Sequence, residues 1–363
     1  MHTAERGLDV TPLYPRGTNW VELDGAANRL SGSELSIITA DCSNPREIDD
    51  GIYVRPYPFA TERYRVSVCV ADTSKLHNNQ PVFLDALNRT EAKYFELGGG
   101  EQGYEPMIDP DYIRDLELTA GHKRSALIVS FDIGERLQPS GLDVAFGHVR
   151  VTDNLSYKQF GKECEENPDF EPYGRASALI LKHLGYTSGG DNDEKQATES
   201  LRTEDIDFAY DSLVYGLAHK EWLRGSKINE AFMVAANHLV GKMMAEEGWP
   251  AIYRVHTPEN GMFPTLLPSE MATYSQKPGE HSGLNLSHYC RVTSPLRRLE
   301  DFIMSRLLRA RHTGQTPKPR DYRDVEFAVN RLNLRIAHQQ FDKPVRLTSA
   351  SEYARRLSAI AVA

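Results

Sequence analysis

Polar and apolar positions alternate with a period of two through much of residues 35 to 160, then change to the three-to-four spacing of helices. Tyr64-Arg65-Val66-Ser67-Val68-Cys69-Val70-Ala71 is the clearest case: alternate residues are large and apolar, as in a half-buried strand, and the run stops at Asp72. Leu35-Ser36-Ile37-Ile38-Thr39-Ala40 and Gly51-Ile52-Tyr53-Val54 are β-branched and aromatic enough to be strands as well. Residues 124–133 and 144–151 continue the series, with a helix predicted over 81–95. Beyond Tyr173 the spacing predicts helices over 173–184, 204–223, 228–247, 295–311, 320–340 and 349–361, interrupted by a short strand at 251–256. Gly98-Gly99-Gly100 with Gly103, and the polar stretch 187–199, predict loops. Sheet first and helices later predicts one α+β unit: an arm over 1–30, a main domain over 31–345 and a C-terminal helix over 346–363.

Composition narrows the class. The 363 residues are 40% hydrophobic and 26% charged, as in soluble globular proteins. No apolar run approaches the roughly 18 residues of a membrane span, and Met1-His2-Thr3-Ala4-Glu5-Arg6 has no apolar leader core. A cytoplasmic protein without membrane contact is the expectation. Cys42, Cys69, Cys164 and Cys290 are scattered, which points to reduced thiols rather than a zinc site or disulfide framework. A net charge of −9 argues against a broad nucleic-acid-coating surface but permits a local basic channel.

Two stretches carry candidate chemistry. In Asp41-Cys42-Ser43-Asn44-Pro45-Arg46-Glu47-Ile48-Asp49-Asp50, four carboxylates (Asp41, Glu47, Asp49 and Asp50) share a turn between two predicted strands, offset only by Arg46. Held together they repel one another unless a cation intervenes, and hard oxygen ligands suit Mg²⁺ or Mn²⁺; a solvated acidic loop is the other reading. A calcium EF-hand is excluded, because Arg46 and Ile52 stand where its glycine and glutamate belong. In Thr293-Ser294-Pro295-Leu296-Arg297-Arg298-Leu299-Glu300-Asp301, Ser294 reads as an N-cap and Pro295 as the first helical residue. Arg297 and Arg298 in that first turn oppose the helix dipole, a conflict relieved by a bound phosphate; pairing with Glu300 and Asp301 is the alternative. Glu230 shares a helix face with Asn237 and could accept a bond from a ribose hydroxyl, or be a solvated helix-face residue. Tyr94 could stack on a base, or be a half-buried structural tyrosine. His281 and His288 lack metal-ligand spacing.

Taken together these segments resemble the ribonuclease II/ribonuclease R catalytic domain, the RNB family. The acidic turn resembles that family's metal motif, and Val68-Cys69-Val70-Ala71-Asp72 the strand after it. Pro106-Met107-Ile108 is similar to its Pro-Met-Leu element, Leu155-Ser156-Tyr157 to its Leu-Thr/Ser-Tyr element, and Tyr253-Arg254-Val255-His256 to its Tyr-Arg-Val-His strand. Glu230, Met233, Ala236 and Asn237 match a helix motif, and the stretch from His281 to Arg306 resembles the element containing Thr-Ser-Pro-Ile-Arg-Arg-Tyr-x-Asp. The resemblance covers residues 35 to about 310. It implies an α+β catalytic domain, a mixed or antiparallel sheet packed by helices around a deep central channel. It also implies a metal-dependent 3′→5′ exoribonuclease that degrades single-stranded RNA to nucleoside 5′-monophosphates, with no DNA substrate. Asp41, Glu47, Asp49 and Asp50 would hold Mg²⁺ or Mn²⁺, and Asp49 and Arg297 would be catalytic. Tyr94, Glu230, Ser294 and Arg298 would bind substrate. The chain departs from the family at Glu47 (usually Asp), Leu299 (usually Tyr) and Ser305 (usually His). The flanking OB-fold modules typical of the family have no room, and a protein partner supplying RNA capture is the expectation. Those departures leave two rivals: a catalytically weak protein that binds RNA or a partner, and a phosphodiesterase acting on short oligonucleotides.

Overall fold

The alternating runs close into a barrel. A computed structural model of the chain describes residues 35–58, 62–97, 101–134, 140–184, 220–256 and 272–342. Strands β1 (Ser36–Asp41), β2 (Asp50–Pro56), β3 (Arg63–Ala71), β6 (Lys123–Gly134) and β7 (Ser140–Ser156) form the barrel in the order β1-β2-β3-β6-β7. All neighbours are antiparallel except β1 and β7, whose parallel pairing, from Ser36 opposite Arg150 to Asp41 opposite Ser156, closes the ring. Between β3 and β6 lie α1 (Gln80–Arg89), a hairpin of β4 (Lys93–Leu97) and β5 (Glu101–Glu105), and α2 (Pro110–Leu116).

Closure gives the period-two pattern two apolar destinations. Val66, Val68 and Val70 of β3 point outward with Ile52, Val54, Leu127, Val129 and Phe131 into the main core, while Ile37, Cys69, Ile128, Val149 and Val151 fill the small interior. Each fully buried valine contributes about 1.5 kcal/mol or more. Inside, Ser67 and Ser130 satisfy each other at 2.8 Å. Gly51 permits the close approach of β1 to β2, because a Cβ there would lie 2.7 Å from Ile37 Cδ1 and 2.8 Å from the Ile38 carbonyl oxygen.

Helices α3 (Tyr157–Glu166), α4 (Glu171–His183), α5 (Lys220–Glu246), α6 (Leu299–His312) and α7 (Pro319–Asp342), with a small β8–β9 ribbon (Tyr253–Val255, Thr273–Ser275), cover the outer face. Leu299 to Met304, with Leu307 and Leu308, are buried all round α6, so that helix runs through the core. It is moored to the barrel through Arg309, which donates to Asp72 and to Ser74 Oγ; Asp72 also accepts from Ser74 and Ser125.

Among the elements that differ from the sequence reading, the break predicted between residues 223 and 228 is absent, because α5 runs unbroken from Lys220 to Glu246. The helix over 81–95 ends at Arg89: Thr90 takes φ 66°, and Lys93–Leu97 turn into a strand that pairs with Glu101–Glu105. Helix α3 was hidden at the end of β7, although Ser156 and Gln159 form a capping box there. The helix predicted from residue 295 begins at Leu299, with extended Arg298 as its N-cap residue. The arm over 1–30, Gly98 to Gly100, the 187–199 loop, helix residues 204–219 and the C-terminal helix lie outside the described residues.

Candidate active site

Strand ends gather the acidic turn at one rim of the barrel. Asp41 ends β1 and Asp50 begins β2, so the intervening turn returns the chain across the rim. Ala71 N–H donates to the Asp49 carbonyl at 2.8 Å, tying the turn to the end of β3. Glu47, Asp49 and Asp50 are buried. This is no solvated loop.

The arginine-bearing segment meets this turn directly. Asp49 Oδ1 accepts the Leu296 N–H at 2.7 Å, and Oδ2 accepts from Arg297 Nε at 3.2 Å. Residues 294–298 form an isolated turn, closed by Arg298 N–H donating to the Ser294 carbonyl at 3.1 Å. Ser294 does not cap the helix. Its N–H donates to Asp301 Oδ1 at 2.8 Å, its Oγ accepts from Arg298 at 2.9 Å, and it is 1% exposed. The first turn of α6 holds Glu300 and Asp301, so the dipole conflict inferred from the sequence is absent. Arg298 is buried, and Arg297 keeps 24% of its side chain exposed.

Burial and crowding set the charge state. Burial pushes Asp49 up to about 8, opposed chiefly by the Arg297 charge and raised further by Glu47. Asp50 rises to about 6, again through burial, with Arg297, a hydrogen bond from Asn229 and Arg298 pulling the other way. Asp41 rises well above the usual carboxylate range, first through burial and then through repulsion from Asp50 and Asp49. Tyr157 is held protonated by burial beside Asp41 and Asp50. Asp41 Oδ2 and Asp50 Oδ2 are buried with no hydrogen-bonding partner among the described residues. Three crowded carboxylates with two unsatisfied oxygens suit a hard divalent cation, although no three acidic, His or Cys side chains among the described residues stand ready as an ion shell.

The remaining sequence candidates divide. Tyr94 is 40% exposed, and its hydroxyl donates to Glu47 Oε2 at 2.6 Å; Tyr104 donates to Oε1 of the same carboxylate. Glu230 is half-buried on α5 beside Asn229. Asn237, on the same helix, serves the backbone: its Oδ1 accepts the Val292 N–H at 2.9 Å, which steers the chain into the 294–298 turn. Sequence reasoning missed Asn229, Tyr104 and Tyr157. Asn229 had no signal beyond its place next to Glu230 in the helix motif, and Tyr104 is tied to the site only through its register with Tyr94.

Residues 29–271 and 265–313 match the RNB domain. The chain belongs to the RNB domain family. This RNB chain is 23% identical over 372 residues to exoribonuclease 2 of Yersinia pestis (strain Pestoides F), an alignment covering 87% of the chain and 56% of the relative; the chain thus spans little more than half the length of that enzyme. Among solved structures, the RNB fold superposes on Mycoplasma genitalium RNase R in complex with ribose methylated single-stranded RNA (TM-score 0.62, 16% identity, 85% of this chain and 55% of that one). It superposes equally on yeast Ssd1, described as a pseudonuclease (TM-score 0.61, 14% identity, 85% and 44%). The fold is therefore shared by proteins with and without nuclease activity.

Proposed function

We propose that this RNB protein is a divalent-metal-dependent exoribonuclease that removes nucleoside 5′-monophosphates from the 3′ end of single-stranded RNA. The observation that carries this reading is the junction of Asp49 with Leu296 N–H and Arg297 Nε across 247 residues of sequence, beside the unsatisfied oxygens of Asp41 and Asp50. The named relatives supply the substrate class, RNA, and the family resemblance implies the polarity and the product.

Asp41, Asp49 and Asp50 would hold Mg²⁺ or Mn²⁺. The chemistry supplied by such a cation is a water acidic enough to attack near neutral pH, together with positive charge at the departing 3′ oxygen. Arg297 offsets the charge that grows on the phosphoryl oxygens, and Asp49 fixes its guanidinium through Nε. Arg298, turned inward to Ser294, keeps the turn folded and adds positive potential behind the scissile phosphate. Asn229 holds Asp50 in orientation. Glu230 accepts a bond from a terminal ribose hydroxyl, which selects RNA over DNA.

A second reading has its own support. Both oxygens of Asp49 are already used by protein donors, as they would be in an RNB-fold protein that binds RNA without cutting it. Purified protein with Mn²⁺ and a uniformly labelled oligoribonucleotide separates the two. Metal-dependent release of mononucleotides establishes the exoribonuclease; a mobility shift with no release establishes the binder.

A further inference from the structure

Tyr94 and Tyr104 stand directly opposite each other on the β4–β5 hairpin, with ring centroids 5.6 Å apart. Their two hydroxyls converge on the two oxygens of one carboxylate, Glu47. Burial and the Glu47 charge keep Tyr104 protonated, so it remains a donor. Glu47 is 5% exposed, whereas the Tyr94 ring is 40% exposed although its hydroxyl is anchored. Gly103 lies under the Phe95 ring, where a Cβ would collide, so the hairpin is packed as a unit. The extra methylene of Glu over Asp lengthens the arm that spans from the acidic turn to this hairpin.

We propose that Glu47 is a positioning residue, not a metal ligand: it tethers the tyrosine hairpin to the acidic turn and so fixes the Tyr94 ring as a platform for the terminal base. This rests on the RNA-hydrolysing reading for its substrate. The hydrogen-bonded tether couples two functions, because the turn that would hold the cation also sets where the base stacks.

The test compares E47Q, Y94F, the double variant and D49N. Titration calorimetry should give a Mn²⁺ affinity for E47Q within twofold of the parent, while D49N loses tenfold or more. An oligoribonucleotide ending in 2-aminopurine, whose fluorescence is quenched by stacking, should lose most of its quench in both E47Q and Y94F. Base stacking of about 1–3 kcal/mol corresponds to a KM about 5- to 160-fold higher, and the double variant should be no worse than either single one. Amide exchange in β4 and β5 should quicken about tenfold in E47Q. A fall in Mn²⁺ affinity for E47Q matching that of D49N overturns the proposal, as does Y94F that stacks like the parent. If the parent binds neither Mn²⁺ nor RNA, the exoribonuclease reading fails. Amide exchange still decides the tether in that case: unchanged rates in E47Q overturn it, and faster rates uphold it.

Discussion

Asp49 is asked to do two things at once: accept two donors from a distant segment and, with a cation beside it, carry a negative charge in a buried place. Replacing it with Asn retains the shape but removes the charge that orients Arg297 and would hold a cation. D49N should lower turnover at least about 10²-fold, beyond the usual effect of losing an outer partner of a metal site, with RNA affinity within about threefold by fluorescence anisotropy. The raised carboxylates also predict a pH dependence. Asp49 near 8 and Asp50 near 6 keep protons in the folded protein that the unfolded chain releases in the ordinary carboxylate range. The folded state binds more protons across that window, so stability without metal declines as pH climbs toward 8. Melting temperature in chelator should fall from pH 5 to 8, and excess Mn²⁺ should raise it most at the alkaline end, where the carboxylates are ionised for binding. The four carboxylates and two arginines could be read from the sequence as residue types in a pattern. What each touches could not: that Glu47 faces two hydroxyls depends on contacts 47 and 57 residues away, and that Ser294 is spent on Arg298 and Asp301 depends on a turn whose shape its residue types do not dictate.

At the element scale, α6 is held in place by charge as well as by apolar packing. Arg309 reaches Asp72, whose side chain is 1% exposed, and lies 3.7 Å from the centre of the Phe146 ring. Removing the guanidinium leaves a buried carboxylate without its counter-charge. R309M should destabilise the protein by about 3–5 kcal/mol in urea unfolding, while leaving the residual Mn²⁺ affinity of the folded fraction intact. The barrel strands were legible because the face toward the main core takes large apolar residues while the barrel interior takes smaller or polar ones such as Ser67, Cys69 and Ser130, which leaves a period of two in the sequence. The start of α6 was misplaced for a physical reason: Ser294-Pro295 does begin a turn, but Arg298 is extended (φ −133°, ψ 132°) and the Leu299 N–H donates to the Thr90 carbonyl at 2.9 Å, which ends the turn after a single cycle. The β4 strand was missed because Lys93-Tyr94-Phe95-Glu96-Leu97 is too short to show its own period beside a helix, and its partner lies across the glycines.

On the scale of the whole molecule, the arginines that oppose the charge of Asp49 and Asp50 are Arg297 and Arg298, so binding at these carboxylates should involve few phosphates. Two contacts on a single strand give a slope of about −1.4 in log affinity against log salt; a slope beyond about −3 would show that other basic groups engage. In a length series, kcat/KM that rises with oligonucleotide length and then levels off fits an exoribonuclease, whereas activity confined to di- and trinucleotides would favour a short-oligonucleotide phosphodiesterase. The barrel's single parallel seam has a temporal corollary. β1 can pair with β2 early but not with its parallel partner until β7 has been made, and Asp49 cannot meet Leu296 until 247 further residues have been added. During synthesis, therefore, the acidic turn and the arginine-bearing turn stay apart on a ribosome-bound chain, and the site is assembled only once Leu296 has followed Asp49 out of the exit tunnel.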